Sequence, residues 1–376
     1  MIVRRFLYAI LFLALVSFMY CWGCQTNFEQ FGEFSIVYKK NGCKEITDGI
    51  GRKLFLVPYG YKGPARYNRV NMVRIPVRRV VVCSPYNAAL IKAIGCVNSI
   101  VGIISKMMKQ KDWHIVEIRN GLDRGKIAYI GQSTSVDYEK LRALKPDVVF
   151  VSDESIVPKL DELSIPSVVT TTKIAKDLKV HINFIRFISA FYNREQQAMA
   201  FAESQFRRID RISEMLRHAK SSPSVIWGDI YARKVRVEPG NSWAGQMVVK
   251  AGGKYLFQDL EGASCMQVTV EKFFSRAKNV DIFITYRGPE SGITSKERLR
   301  QSSRLLQTVD IRPMYSGKVY FTGWRLYQSA DTAGMIAELA AIFHPELFPE
   351  KKKPQYFFEL PERLSHSLSK DVLHKK

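Results

Sequence analysis

Aromatic residues and arginines recur in the second half of the chain, and several directly follow strand-like segments. The segments "TYRGP" (285–289) and "TGWRLYQ" (322–328) each place an aromatic ring and an arginine just after a strand. Rings supply apolar contact area, and a guanidinium group pairs bidentately with carboxylates. The pattern therefore predicts a site for a large, flat or chelated anion, although core packing is the alternative for any single tryptophan. The candidate residues are Trp227, Tyr231, Arg233, Arg236, Trp243, Tyr286, Arg287, Trp324, Arg325 and Tyr327.

Common catalytic motifs are absent from the sequence. No GxGxxG follows a strand, and there is no P-loop, GxSxG or HExxH. Beyond residue 24 the cysteines stand far apart, which favours buried free thiols over a zinc site or a disulfide. The histidines are scattered without an i+4 partner. We therefore predict no enzyme activity, no resident cofactor and no metal site formed by the protein alone.

The first 24 residues have the pattern of a secretion signal. Arg4 and Arg5 precede an uncharged apolar stretch over 6–20, which is shorter than the roughly 20 residues that span a membrane. Gly23 followed by Cys24 resembles a bacterial lipoprotein signal, in which Cys24 is lipidated and becomes the mature N-terminus. Ordinary cleavage and a retained anchor stay open. All three predict a body outside the cytoplasm, in the periplasm or on the outer face of a membrane.

The chain is strongly basic, with a formal net charge of +22. Such a charge favours nucleic acid, an anionic membrane surface or an anionic ligand. The secretion signal argues against nucleic acid. A solvated basic surface near anionic lipid and a basic cleft for an anion both stay open, and they are compatible.

Strand-like and helix-like segments alternate along most of the chain, which predicts an α/β fold with parallel sheets. A short helix with an early glutamate precedes a buried strand twice, so we predict two lobes of similar build. The predicted units are a signal at 1–24, an extended N-terminal region at 25–75, a first lobe at 76–176, a linking helical region at 177–220, a second lobe at 221–348 and a basic tail at 349–376.

Six segments carry a resemblance to a known family. They are "RRVVVCSPYNAALIKAIGCVNSIVGI", "YIGQSTSVDYEKLRALKPDVVFV", "LDELSIPSVV", "SWAGQMVVKAGGKYLF", "TVEKFFSRAKNVDIFI" and "GKVYF". Their order and spacing over residues 74–348 resemble the periplasmic-binding-protein family for iron complexes and cobalamin, whose members are substrate-binding proteins of ABC importers. The N-terminal region and the "HPELFPE" ending resemble the longer members common in Bacteroidetes-type bacteria.

The resemblance implies two Rossmann-like lobes joined by one long rigid helix, with a ligand cleft between them and modest closure on binding. Strand ends are where α/β sheets offer a crevice, so the loops at 84–87, with Tyr86, and at 131–133 are further candidate walls. The implied ligand is a metal chelate, first a ferric siderophore. Cobalamin, heme and an oxyanion stay open, as does a chelatase-like enzyme on a related two-lobed fold.

Glu139 and Glu271 occupy matching positions in the two lobes, each at the start of a short helix. An acid there also favours the helix macrodipole, by about 0.3–1 kcal/mol. In the family that the chain resembles, acids at these positions pair with arginines of the permease. The resemblance thus implies docking by a monomer onto a permease dimer that carries its ATPase subunits.

Overall fold

The structure is a computed structural model, and the first residue that it describes is residue 28. It describes residues 28–63, 69–105, 112–172, 177–231, 234–262, 265–309, 311–315, 317–349 and 353–363. The predicted signal with Cys24, and the candidate Arg233, lie outside these residues. Among the helices of the described residues, none is long and apolar enough to cross a membrane.

The N-terminal region forms a five-stranded sheet in the order β1-β2-β3-β4-β5. Its strands are β1 (Phe28–Phe31), β2 (Phe34–Tyr38), β3 (Lys44–Thr47), β4 (Lys53–Pro58) and β5 (Met72–Ile75). Neighbours are antiparallel except β4 and β5, which are parallel. The sequence predicts only three of these strands, in the segments that contain β2, β4 and β5.

The turn between β3 and β4 fastens this sheet to the first lobe. Asp48 is fully buried there and accepts hydrogen bonds from the backbone N–H of Arg52 (2.9 Å) and of Val169 (3.1 Å). The N–H of Gly49 donates to the carbonyl of Val169 at 2.9 Å. The turn therefore covers the open edge of the first lobe's sheet, where unpaired backbone groups would otherwise be exposed.

Lys44 of β3 makes a second link, to the helical region. Its buried ammonium group donates to the Ala190 carbonyl (2.7 Å) and to Asn193 Oδ1 (2.8 Å), and it pairs with Glu195. Burial lowers the pKa of Lys44, and Glu195 acts in the opposite direction. The N-terminal sheet is thus fastened both to the first lobe, through Asp48, and to the linking helical region, through Lys44.

The first lobe contains a parallel sheet in the order β12-β11-β6-β7-β8. Its central strands are fully buried apolar runs, as expected for strands covered on both faces. A small antiparallel pair, β9 and β10, follows β8. The bounds are β6 (Val80–Val82), β7 (Ile100–Ile103), β8 (Ala128–Tyr129), β9 (Gly131–Gln132), β10 (Ser135–Val136), β11 (Val148–Val151) and β12 (Ser167–Val169), with helices α1 (Pro85–Ala93), α2 (Val116–Asp123), α3 (Tyr138–Ala143) and α4 (Val157–Glu162).

The linking region consists of two helices, α5 (Leu178–Ser189) and the 22-residue α6 (Glu195–Leu216). The sequence predicts a long helical region here, and the family resemblance implies one long rigid helix between the lobes. Asn193 adopts a positive φ of 54° between the two helices, which a helix cannot continue through. Gln205, the polar exception in the apolar stripe of α6, is buried and accepts a hydrogen bond from the N–H of Ala333 at 2.8 Å.

The second lobe has a parallel centre with antiparallel edges, in the order β16-β14-β13-β17-β18-β19, and β15 also pairs with β13. The sequence predicts a basic tail over 349–376, and the last strand of the sheet lies in that segment and pairs with β18. The bounds are β13 (Ser224–Tyr231), β14 (Lys234–Val237), β15 (Lys254–Tyr255), β16 (Met266–Val268), β17 (Ile282–Thr285), β18 (Lys318–Thr322) and β19 (Phe357–Glu359), with helices α7 (Trp243–Lys250), α8 (Val270–Ala277), α9 (Lys296–Gln301), α10 (Arg304–Thr308) and α11 (Thr332–Phe343).

Candidate functional site

A cleft of about 690 Å³ lies between the two lobes. Much of its wall follows directly after the parallel strands β6, β7, β11, β12 and β18, at the edge where α/β sheets offer a crevice. Its size falls within the range of about 300–1,000 Å³ typical of small-molecule sites. The lining residues are Cys83, Ser84, Pro85, Tyr86, Ile104, Ser105, Asp112, Ser133, Ser152, Thr171, Thr172, His181, Glu238, Trp243, Trp324, Leu326 and Tyr327.

The first lobe contributes a wall rich in hydroxyl groups. Ser84 caps α1 by accepting the N–H of Tyr86 at 3.2 Å, and Ser152 Oγ donates to the Cys83 carbonyl at 3.3 Å. Burial raises the pKa of the Cys83 thiol to about 12. A neutral thiol is a weak nucleophile, so this wall is suited to polar contact rather than to thiolate chemistry.

Three stacked rings join the lobes at the cleft. His181 of α5 lies between Tyr86 and Trp243, with centroid distances of 4.3 and 4.6 Å and interplanar angles of 14° and 9°. The hydroxyl of Tyr86 also donates to the His181 carbonyl at 2.9 Å. Because the rings come from the first lobe, the linking region and the second lobe, this stack fixes the lobes against one another at the site.

Glu238 lies in the wall of the second lobe, directly after β14. Its carboxylate accepts a hydrogen bond from the hydroxyl of Tyr286, and its carbonyl accepts one from the hydroxyl of Tyr255. Its backbone N–H donates to the Trp227 carbonyl at 2.9 Å. Burial raises the pKa of Glu238, while the Tyr286 hydrogen bond opposes that shift. Glu238 is thus an acid held in a fixed position at the cleft.

A side chain of the second lobe also reaches across to the first. Gln328, at the end of the 3-10 helix Trp324–Gln328, donates from Nε2 to the Asp112 carbonyl at 2.8 Å. Its Oε1 accepts the N–H of His114 at 2.7 Å. These paired hydrogen bonds hold one residue of the cleft wall, Asp112, against the second lobe.

The predicted aromatic residues divide between the cleft and the core. Four of them, Tyr86, Trp243, Trp324 and Tyr327, line the cleft, and Tyr286 does not line it but donates a hydrogen bond to Glu238. Trp227 is only 1% exposed, and its ring packs edge-on against Trp243 and Phe357. Tyr231 is 66% exposed at the end of β13, and it is not among the lining residues.

The predicted arginines lie elsewhere. Arg287 is buried and directed inwards, because its Nε pairs with Asp229 Oδ1 at 2.7 Å and its Nη1 donates to Ser302 Oγ at 2.8 Å. Arg236 of β14 and Arg325 are exposed and do not line the cleft. The described arginines of the candidate set therefore do not form the anion-binding wall that the sequence predicts.

Several lining residues are not among the sequence candidates. Ser105, Ser152 and Thr171 come within two residues of the ends of β7, β11 and β12, so strand ends alone could have identified them. His181 and Glu238 carry no local signal of this kind. An isolated histidine and an isolated acid in sequence become site residues only through the packing of distant segments.

Glu139 and Glu271 occupy equivalent local positions. Each is exposed and stands one residue after the first residue of its helix, α3 or α8, in the first turn. Asp137 and Thr269 cap the two helices by accepting the N–H three residues ahead. In the described part of the chain neither glutamate is in a salt bridge, so both carboxylates face solvent.

Sequence relatives include a lipoprotein and a binding protein. An uncharacterized lipoprotein of Methanocaldococcus jannaschii is 26% identical over 326 residues, which cover 82% of this chain and 76% of that protein. The molybdate-binding protein MolA of Haemophilus influenzae is 25% identical over 208 residues, covering 52% of this chain and 58% of that protein.

Solved structures share the fold. A periplasmic heme binding protein from Pseudomonas aeruginosa aligns with a TM-score of 0.59 at 14% identity, covering 77% of this chain and all of that one. S. aureus IsdE complexed with heme aligns with a TM-score of 0.55 at 17% identity, covering 71% and 98%. At these identities the likeness establishes the two-lobed architecture.

The family comparison covers the first lobe, the linking helices and most of the second lobe. Residues 80–318 match the family described as periplasmic binding protein, which is more than half of the chain. Members of this family deliver ligands to the permeases of ABC importers and work outside the cytoplasm. The strand-end cleft and the two α/β lobes agree with that match, and the chain belongs to the periplasmic binding protein family.

Proposed function

We propose that the protein captures a metal chelate outside the cytoplasm and delivers it to an ABC permease, and that the chelate is a ferric siderophore. The observation that carries this proposal is the cleft of about 690 Å³ between the strand ends of the two lobes. Exposed ring faces there, such as that of Trp324, suit a large partly apolar ligand. The role is capture and release, without catalysis.

Heme is the second candidate ligand. It is favoured by the aromatic wall of the cleft and by two structural neighbours whose names state heme binding. Cobalamin would be captured by the same mechanism. The molybdate-binding relative keeps an oxyanion as a further possibility.

Chelate capture is tested by visible absorption of the purified protein and by its tryptophan fluorescence. Protein purified from its own host should retain a visible absorption band, since ferric siderophores, heme and cobalamin are all colored. Protein stripped of ligand should then show quenching of its tryptophan fluorescence on titration with the recovered chelate. We expect Trp324→Ala to weaken that binding about tenfold, because truncating an aromatic anchor typically removes more than 1 kcal/mol.

Tyr315→Ala is the matched control, because Tyr315 is also an exposed ring of the second lobe but does not line the cleft. It should bind as the wild type does. A colorless protein that binds none of the three chelate classes would refute the proposed function.

We further propose that Cys24 is lipidated, which would anchor the protein to a membrane of the envelope. Metabolic labelling with a fatty acid should mark the wild type and fail to mark Cys24→Ser. Cys96→Ser should keep the label, since Cys96 is a free cysteine in the folded first lobe. Labelling of Cys24→Ser at the wild-type level would refute lipid anchoring at this position.

A further inference from the structure

Acidic groups from both lobes lie in the cleft wall. Asp112 comes from the first lobe and Glu238 from the second. Among the described residues that line the cleft there is no lysine or arginine. A polyanionic ligand placed between these walls would meet like charge, whereas a cation or a hydrogen-bond donor would meet an acceptor.

Glu238 has the features of a recognition group rather than of a solvated surface acid. Its backbone N–H and carbonyl are both engaged, by Trp227 and Tyr255. Its side chain is held by the hydroxyl of Tyr286, from the loop that follows β17. A group fixed in this way loses little freedom on binding, which is the condition for selective recognition.

The hydroxyl wall opposite complements this arrangement. The hydroxyl groups of Ser84 and Ser133 can each donate or accept a hydrogen bond, so this wall suits the carbonyl and amide groups of a neutral ligand. The stacked rings of Tyr86, His181 and Trp243 add apolar area between the two walls. The cleft thus combines acceptors on the second lobe with adaptable polar groups on the first.

We propose that the cleft selects a neutral or cationic metal chelate that presents N–H or O–H donors to Glu238, and that it discriminates against polyanionic chelates. The inference rests on the proposed function, and it names the substrate class of the same site. Tris-hydroxamate ferric complexes belong to this class, because three hydroxamate charges balance Fe³⁺. Tris-catecholate ferric complexes carry three net negative charges and do not.

The effect of ligand charge can be separated from that of ligand size with a series of chelates that share one iron core. Ferrioxamine B carries one positive charge on its free amine, its N-acetyl derivative is neutral, and its N-succinyl derivative carries one negative charge. We expect ferrioxamine B and the acetyl derivative to bind the full-length protein at least tenfold more tightly than the succinyl derivative, as measured by tryptophan quenching.

Glu238→Gln removes the charge and keeps an acceptor for the Tyr286 hydroxyl. It should weaken binding of ferrioxamine B about tenfold and leave the succinyl derivative unchanged or slightly tighter. Asp112→Asn, in the opposite wall, should also weaken binding of ferrioxamine B, by a smaller factor. Glu290→Gln is the matched control, since Glu290 is an exposed acid of the second lobe outside the lining, and it should reproduce the wild-type series.

The outcomes distinguish this inference from the proposed function. Tighter binding of the succinyl derivative, or a series that Glu238→Gln leaves unaltered, would overturn the charge selection while leaving chelate capture intact. Preferential binding of heme over the neutral and cationic chelates, with the same heme affinity in Glu238→Gln, would also overturn the charge selection and leave chelate capture intact. Failure of the series, heme and cobalamin to bind at all would overturn the proposed function and the inference with it.

Discussion

Replacing Asp48 by alanine is expected to lower the free energy of unfolding of the first lobe by about 3–5 kcal/mol, the range for removing one partner of a buried ion pair. Asp48 is 0% exposed and pairs with Arg52, whose Nε lies 2.9 Å from Oδ2. The change would leave the Arg52 guanidinium group without its carboxylate partner, with only its hydrogen bonds to Ser167 and partial exposure to water. It would also leave the backbone N–H groups of Ile50, Arg52 and Val169 without their side-chain acceptor.

Urea denaturation followed by intrinsic fluorescence measures this change. Lys53→Gln is the control, because the Lys53 side chain is 65% exposed and lies 3.6 Å from Glu45, and an ion pair of a solvated lysine contributes about 0–1 kcal/mol. The double change Asp48→Ala with Arg52→Ala should lose less than the sum of the two single changes, since it leaves no unpaired charge. A loss below about 1 kcal/mol for Asp48→Ala would show that this turn does not hold the sheet to the lobe.

The central parallel strands of the two lobes could be predicted from the sequence because buried parallel strands are continuous apolar runs. Two such runs are Val148–Val151 and Ile282–Thr285, and both are fully buried strands. β3, with the sequence "KEIT", gives a weaker signal, because two of its four residues are charged. One of these, Lys44, is buried only because Glu195 lies opposite it in the fold, 151 residues later.

The sequence could not show in which direction the side chains at the site point. "TYRGP" and "TGWRLYQ" have the same local pattern, an aromatic ring and an arginine after a strand. In the first, Arg287 turns inwards because Asp229, on the neighbouring strand, neutralises it. In the second, Trp324 and Tyr327 reach the cleft while Arg325 is exposed elsewhere. Ligand contact by any of these residues stays a prediction.

Reversing the charge of Glu139 or Glu271 is expected to reduce transport strongly while leaving folding and ligand affinity nearly intact. We propose that each carboxylate meets an arginine of the permease. Both are exposed in the first turn of a capped helix, so the position is rigid before contact. Close charge pairs at protein interfaces show coupling energies of about 1.5–7 kcal/mol, whereas a solvated ion pair contributes about 0–1 kcal/mol.

Stimulation of the transporter's ATPase by the purified binding protein is the direct measurement. Since about 1.4 kcal/mol is tenfold in affinity, Glu139→Arg and Glu271→Arg should each raise the half-saturating concentration at least tenfold, and the double change should raise it further. Glu214→Arg is the control, because Glu214 is an exposed acid on α6 outside the two short helices, and it should stimulate normally.

Salt and ligand affinity then separate docking from ligand binding. Raised salt should weaken stimulation by the wild type, because these charges are exposed before the two proteins meet. The single variants should respond less to salt, since each has lost one attractive pair. If instead the variants lost chelate affinity and stimulated the permease normally at saturating ligand, the two acids would act on the cleft. The matching positions of α3 and α8 in the two lobes would then have no docking role.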